Sequence, residues 1–339
     1  MTGPGGRKRR VIVVGAGISG LMAARHLAEG GIDVIVLDKA SGVGGRMATR
    51  RIGNLSFDHG AQFFFTTHPV FHRYVQDWVE QGALQPIAVD ELMPGTNGHI
   101  KLAPEAWHGV NGMTDVPKLL AQHVDVRLKE RVMRVDVRPG GWRLWTESAN
   151  AYEADGLILT LPAPQSVQLL QHVTNVPEDL HARLRDIRYQ PIYTLLLQLS
   201  GPSGLNGTGM LRLENENVSW ILDNTRKLGQ AAESAVTVQA TPKFSLQQVE
   251  NASDAVLQQV IKSIQPHLQS EPVSTTLHRW RYAWPLNPLD EPVTSNLPAP
   301  LALAGDAFSG EKMAGFMVEA AALSGLSAAA NVYEMLASL

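Results

Sequence analysis

Three glycines spaced Gly15-x-Gly17-x-x-Gly20, followed by Asp38, are the residues of this chain whose types and spacing point most directly to chemistry. Gly15 permits a tight turn, Gly17 lets the backbone approach a pyrophosphate, and Gly20 permits close packing of helix on sheet. The helix that begins among them, through Ala16, Ile18 and Ser19, offers free N–H groups and positive dipole character to phosphates. Asp38, at the end of the next strand, is placed to accept from both hydroxyls of an adenosine ribose. These features describe a dinucleotide site. They do not by themselves separate NAD from FAD.

The residues that follow do. Asp38-Lys39-x-x-Gly42-x-Gly44-Gly45-Arg46-Met47 resembles the second glycine motif of the amine-oxidase-like flavoproteins. Paired glycines let the chain pass close to a cofactor, and the Arg46 guanidinium suits a pyrophosphate. Asp58-x-Gly60-Ala61-Gln62 resembles the strand that runs beside the isoalloxazine in that family. Ala304-Gly305-Asp306 with Gly315-x-x-x-Glu319 resembles its C-terminal flavin motif. The resemblance implies that FAD is bound non-covalently. It implies that Asp306 contacts the ribityl chain or phosphate, and that backbone N–H groups of Met317 and Val318 face the flavin pyrimidine edge, where negative charge collects on reduction. It also implies a backbone contact from Val132 to adenine.

Over nearly the whole chain the sequence resembles the renalases, in particular their bacterial branch. The stretches that carry this are Gly60-Ala61-Gln62-Phe63-Phe64, Trp107-x-Gly109-x-x-Gly112-Met113, Leu161-Pro162-Ala163-Pro164-Gln165, Trp220-x-x-x-Asn224 and His278-Arg279-Trp280-x-Tyr282-Ala283. What the resemblance implies is an oxidase for the 2- and 6-dihydro isomers of NAD(P)H, returning NAD(P)+ and passing electrons to O2 to give hydrogen peroxide. A dihydropyridine gains aromaticity when it gives up hydride, so no side-chain base is needed at the reacting carbon. The protein has to hold a flat ring at near-attack distance. Trp107, Trp280, Tyr282 and Trp284 are the candidate pocket wall, with Gln62 and His278 as hydrogen-bonding groups. His108 stands where a small apolar residue is expected, and Trp284 precedes Pro285; both bear on pocket shape. The FAD motifs alone also fit a flavin amine oxidase or desaturase, or a flavin-binding protein without catalysis.

The elements that position these residues are an early and a late group of buried strands. Val11–Val14, helix Ile18–Glu29 and Val34–Leu37 form a βαβ unit; Gly156–Leu161 and Leu301–Ala304 are of the same apolar type. Helices are expected at Thr67–Gly82, Asp115–His123, Ser253–Ile264 and Phe316–Leu339. Pro86–Glu105 is expected to be irregular, with turns at Pro94-Gly95 and Asn97-Gly98. Strands are expected at Val124–Leu128, Val132–Val137, Trp142–Glu147, Tyr193–Leu199, Met210–Leu213, Val218–Leu222, Ala235–Ala240 and His278–Pro285. The fold class is α/β: a Rossmann-like FAD-binding domain with a parallel sheet and β-meander (1–72, 112–165 and 297–339), and an inserted α+β substrate domain with a mixed sheet (73–111 and 166–296).

With 339 residues, 44% hydrophobic, and a net charge of −3, the chain has ample core material and no electrostatic case for nucleic acid. The absence of cysteine excludes disulfides, thiol catalysis and cysteinyl flavin attachment, and fits a cytoplasmic location. The basic run Arg7-Lys8-Arg9-Arg10 reads as a solvated tail rather than part of a secretion signal, and Phe316–Leu339 as a buried helix rather than a membrane span. His68 and His72 lack a third ligand and read as surface or capping histidines. Arg188, Arg226 and Arg279 are candidates for a substrate phosphate, and Lys243 and Lys262 match no motif.

Overall fold

Unbroken runs of β-branched residues have no polar face to offer water, so they are stable only as interior strands covered on both sides. That is where the computed structural model places them. It describes all residues except 1–5, 88–104, 175, 214, 230–233, 252, 297–298 and 311–316. The turns expected at Pro94-Gly95 and Asn97-Gly98, and the expected start of the last helix at Phe316, lie outside the described residues. The polypeptide divides into two compact units: Met1–Gly45, Val116–Arg188 and Pro285–Leu339 in the first, Arg46–Asp115 and Tyr189–Trp284 in the second.

In the first unit a six-stranded sheet has the order Val293–Ser295, Leu301–Leu303, Gly156–Leu159, Arg10–Val14, Asp33–Asp38, Asp125–Leu128. All neighbours are parallel except the edge pair Val293–Ser295 with Leu301–Leu303. Strands from both ends of the chain therefore share one sheet. Helix Ile18–Glu29 packs along the final helix, Met317–Ala337. A three-stranded antiparallel meander, Val132–Arg138, Gly141–Thr146 and Ala151–Ala154, buries Trp142 and Leu144.

The second unit is built on a five-stranded sheet ordered Met210–Arg212, Val218–Asp223, Ala235–Ala240, Tyr189–Leu199, Pro272–Pro285. Helix Ser253–Ile264 covers it through Val256, Val260 and Ile264. Two smaller sheets complete it: Thr49–Ile52 with Leu55–Asp58, and Phe64–Thr66, Glu105–Gly109 and Leu84–Ile87.

Three expectations need correction. The division falls elsewhere than 1–72, 112–165, 297–339 and 73–111, 166–296. Residues 46–72 go with the second unit, because Phe57 on strand Leu55–Asp58 is buried against Leu196 and Ala235. Residues 166–188 and 285–296 go with the first, because helices Ala163–Leu170 and Glu178–Asp186 pack together and Val293–Ser295 extends the parallel sheet. The basic run is not a solvated tail either. Arg7 and the Arg10 backbone N–H bind the buried Asp155 carboxylate, Arg9 is 7% exposed, and the Arg10 side chain pairs with Asp33. Finally, Gly60–Gln62 is no strand: it is the bend between Leu55–Asp58 and Phe64–Thr66.

Candidate functional site

In the first unit the site starts at the carboxyl ends of three adjacent parallel strands. Val14, Leu159 and Leu303 are register partners across the sheet. Beyond them lie the Gly15–Gly20 turn, Thr160 and the Gly305-Asp306 turn. The strand order reverses between Arg10–Val14 and Gly156–Leu159, which is where open α/β sheets take their ligands.

Gly15 sits at φ +114°, a conformation glycine adopts freely. Its N–H donates to Leu37 at 2.8 Å, while Thr160 Oγ1 donates to the carbonyl of Val14 at 3.0 Å. Gly17 is the N-cap of helix Ile18–Glu29 and supplies no side-chain cap, so no capping side chain competes for the first-turn N–H groups. A Cβ built on Gly17 meets no atom within 4 Å, so the backbone there borders open space. Ser19 Oγ is buried without a partner. An uncapped helix start, an open glycine and an orphan hydroxyl are what a diphosphate fills, so these residues fit FAD.

Asp38 is more committed than expected. Its Oδ2 accepts from Ala16 N–H at 2.6 Å and its Oδ1 from Ala40 N–H at 2.7 Å. The carboxylate locks the glycine turn and keeps one lone pair per oxygen for ribose hydroxyls. Lys39 is exposed, Gly44 donates to Ala16 O at 2.8 Å, and Gly45 follows it. Val132 opens the meander and is 9% exposed. Gly305 donates to Ser324 Oγ at 3.1 Å, Asp306 is buried, and Met317 and Val318 form the half-buried first turn of the final helix.

The remaining predicted residues are in the second unit. The buried Asp58 is its hub. Asp58 Oδ1 accepts from Thr49 Oγ1 at 2.6 Å and from Met113 N–H at 2.9 Å; its Oδ2 accepts from Lys227 Nζ. Lys227 Nζ also donates to Gln62 O at 3.0 Å. Gln62 Nε2 donates to Asp58 O at 2.6 Å. Asn224 Oδ1 accepts from Asp58 N–H at 3.1 Å, while its Nδ2 donates to Thr237 Oγ1 at 2.8 Å. Ala61 N–H donates to Arg46 O at 2.8 Å, and a Cβ on Gly60 would stand 2.0 Å from that oxygen, so only glycine fits. Met47 is buried. The Arg46 guanidinium, expected on a pyrophosphate, donates to Ala283 O at 2.9 Å.

Strand Pro272–Pro285 puts His278, Trp280, Tyr282 and Trp284 on alternate positions, hence on one face, with Arg279 and Arg281 exposed on the other. Trp280 Nε1 donates to His59 O at 2.7 Å, and its ring centroid is 4.4 Å from that of His278 and 5.1 Å from that of His59. Tyr282 meets Tyr189 edge-on at 5.3 Å. Trp284 is 36% exposed. Trp107 is buried on a different strand, paired with Phe64. Burial, then the charge of His278, pushes His59 down to about 4. Burial also lowers His278, and burial followed by the Lys227 charge pushes His108 down to about 4.

Lys227 and His59 are the residues that sequence reasoning missed. Lys243 and Lys262 are exposed, whereas Lys227 is 7% exposed. The signal was the segment Trp220-x-x-x-Asn224, which stops three residues short of it. Of the expected phosphate-binding arginines, Arg279 donates to Val249 O and Arg226 to Gly207 O. Arg188 is exposed in the first unit. His68 caps helix Pro69–Glu80 by accepting from Val70 N–H at 3.2 Å. Among the described residues there is no cluster of three metal-ligating side chains, and no helix long and apolar enough to cross a membrane.

Two family models match: an NAD(P)-binding Rossmann-like domain over residues 13–78, and flavin containing amine oxidoreductase over 87–333. Renalase of Mus musculus is 29% identical, over 88% of this chain and 93% of its own length. Polyamine oxidase 7 of Oryza sativa subsp. japonica is 42% identical over 16% of this chain and 12% of its own. Wild-type putrescine oxidase bound to putrescine superposes with a TM-score of 0.71 at 15% identity, covering 96% of this chain and 99% of that one.

Proposed function

The chain belongs to the flavin containing amine oxidoreductases and is an FAD-dependent oxidoreductase, and we propose that its substrates are the 2- and 6-dihydro isomers of NAD(P)H. Bound FAD supplies a two-electron acceptor that O2 restores, so that the dihydro substrate, O2 and one proton yield NAD(P)+ and hydrogen peroxide. The observation that carries this reading is the uncharged aromatic face of strand Pro272–Pro285. His278, Trp280 and Tyr282 line it, with His59 against the first two.

A dihydropyridine is neutral and its product is a pyridinium cation. A wall of indole and phenol faces favours positive charge as it develops. His59 and His278, held below their ordinary range, carry no competing charge near neutrality. No residue need take a proton from carbon, because the electron pair leaves with its hydrogen as hydride. Gln62 is held by its bond to Asp58 O, and Trp280 by its bond to His59 O, so both are oriented before substrate arrives. The extent of the likeness to mouse renalase supports the same substrate class.

Anaerobic mixing of the purified yellow protein with 2- or 6-dihydro-NAD(P) should bleach the flavin within seconds, while primary amines and polyamines leave it oxidised. If amines bleach it and neither dihydro isomer does, the reading is wrong.

A further inference from the structure

The turn at Val14-Gly15-Ala16 is gripped from both sides. Strand Arg10–Val14 lies between Asp33–Asp38 and Gly156–Leu159 in the sheet of the first unit. On one side Leu37 O accepts from the Gly15 N–H at 2.8 Å, and Asp38 Oδ2 accepts from the Ala16 N–H at 2.6 Å. On the other side stands Thr160, the residue after Leu159. Its Oγ1 donates to Val14 O at 3.0 Å and, sharing the same proton, to Gly15 O at 3.3 Å. We propose that Thr160 is a positioning residue for FAD: its hydroxyl fixes the dinucleotide turn and acts on the cofactor through that turn rather than by contact. This holds whatever substrate the flavin oxidises.

A trans peptide sets its C=O and its N–H on opposite edges of one plane. Val14 O and the Gly15 N–H belong to one such plane, Gly15 O and the Ala16 N–H to the next. Each plane is therefore held at both edges, its oxygen by Thr160 and its N–H by Leu37 or Asp38. The grip matters most at Gly15. Its φ of +114° is one of many that glycine reaches, so the residue does not hold the turn by itself. Without the hydroxyl, Val14 O stays paired, because the Thr160 N–H also donates to it at 3.0 Å. Gly15 O loses the donor that orients it, and the second plane is then held at its N–H edge alone.

The hydroxyl also fills the inner side of the turn. A Cβ on Gly15 would stand 2.5 Å from Thr160 Oγ1, and one on Gly20 would stand 2.9 Å from it. The atom thus sits between the first and third glycines, while a Cβ on Gly17 meets nothing within 4 Å. Thr160 braces the turn from within and leaves the open glycine clear. A turn ordered before the ligand arrives removes an entropic penalty from binding, so affinity rises. Valine has nearly the same size as threonine but cannot donate, so Thr160→Val separates the bond from the bulk.

The test titrates FAD into the FAD-free full chain and reads the quenching of flavin fluorescence. Thr160→Val and Thr160→Ala should each bind FAD about fivefold to tenfold more weakly than wild type, the range for one hydrogen bond. Thr160→Ser keeps the donor and should stay within about twofold of wild type. The unfolding midpoint of the FAD-free chain should move by no more than about 3 °C in any of the three. Thr160→Ala turns no methyl toward the two carbonyls, so the comparison survives if valine strains the turn. Wild-type affinity in both hydroxyl-free variants overturns the proposal. So does a loss in Thr160→Ser equal to that in the other two, since the donor would then be irrelevant. A hydroxyl-free variant whose midpoint falls far beyond 3 °C, so that weak binding follows from unfolding, makes Thr160 a packing residue and overturns it as well. Flavin bleaching by the dihydro isomers tests the substrate reading separately and is independent of each of these results.

Discussion

Lys227 Nζ donates to the carboxylate of Asp58, and the two side chains are 1% and 0% exposed. Neither charge has water to fall back on, so each depends on the other. Lys227→Met should cost about 3–5 kcal/mol in urea unfolding, because Asp58 is left as an uncompensated buried charge. Asp58→Asn with Lys227→Met should recover part of that loss. If the double variant is no more stable than Lys227→Met, the pair is not coupled.

His108 gives the protein an acid-sensitive core. Unfolded, an imidazole takes up its proton near pH 6.5; folded, His108 does so only near 4. Between these values the unfolded chain binds more protons. Stability is therefore complete above about pH 6.5 and falls as pH drops toward 4. The contribution of His108 should amount to about 2 kcal/mol between pH 7 and pH 5. Unfolding midpoints of wild type and His108→Gln, compared at those two pH values, should differ in slope by that amount. Parallel slopes would mean that His108 titrates normally.

Gly17 separates cofactor binding from folding. Its φ of −77° is open to any residue and a Cβ there meets nothing within 4 Å. Gly17→Ala should leave the FAD-free protein within about 1 kcal/mol of wild type. It should weaken FAD uptake at least tenfold, since the methyl stands where the diphosphate approaches. Gly60→Ala is the contrast: its Cβ would lie 2.0 Å from Arg46 O, and it should be unstable with or without FAD. Tight FAD binding by Gly17→Ala, read by flavin fluorescence, would move the diphosphate elsewhere.

Trp280 is held by a single hydrogen bond to His59 O. Trp280→Phe keeps an aromatic face and should cost about 1 kcal/mol of stability. Trp280→Ala should in addition slow anaerobic flavin reduction by about a hundredfold, through lost positioning of the ring. Stopped-flow traces at saturating 6-dihydro-NAD distinguish the two; equal rates would place the substrate ring away from this strand.

The parallel sheet and its glycine turns were legible because their signals are local. An apolar run, a glycine spacing and an acid at the next strand end all fall within Val11–Asp38, and neighbouring residues make the contacts. The Asp58 hub was not legible. Lys227 reads as one more polar residue in Asn224-Thr225-Arg226-Lys227, and its partner is 169 positions away. Burial of a lysine is decided by what folds over it, and no periodicity records that. The same holds for Arg9 and Asp155, where a run of basic residues looked solvated because its acid partner lies far along the chain. Short strands such as Phe64–Thr66 and Leu84–Ile87 escaped for a different reason. They are too brief for alternation to show, and Pro86 argues against a strand that tertiary pairing nonetheless forms.

Strand Pro272–Pro285 carries four rings on its even positions and two arginines on the odd ones between them. Its two faces are thus chemical opposites, exchanged by a slip of a single residue. Insertions or deletions of one residue ahead of His278 would swap guanidinium for indole along the whole face, while changes of two would restore the order. Length variation in the segment leading into this strand is therefore constrained by parity, and a family of such chains should tolerate it in steps of two.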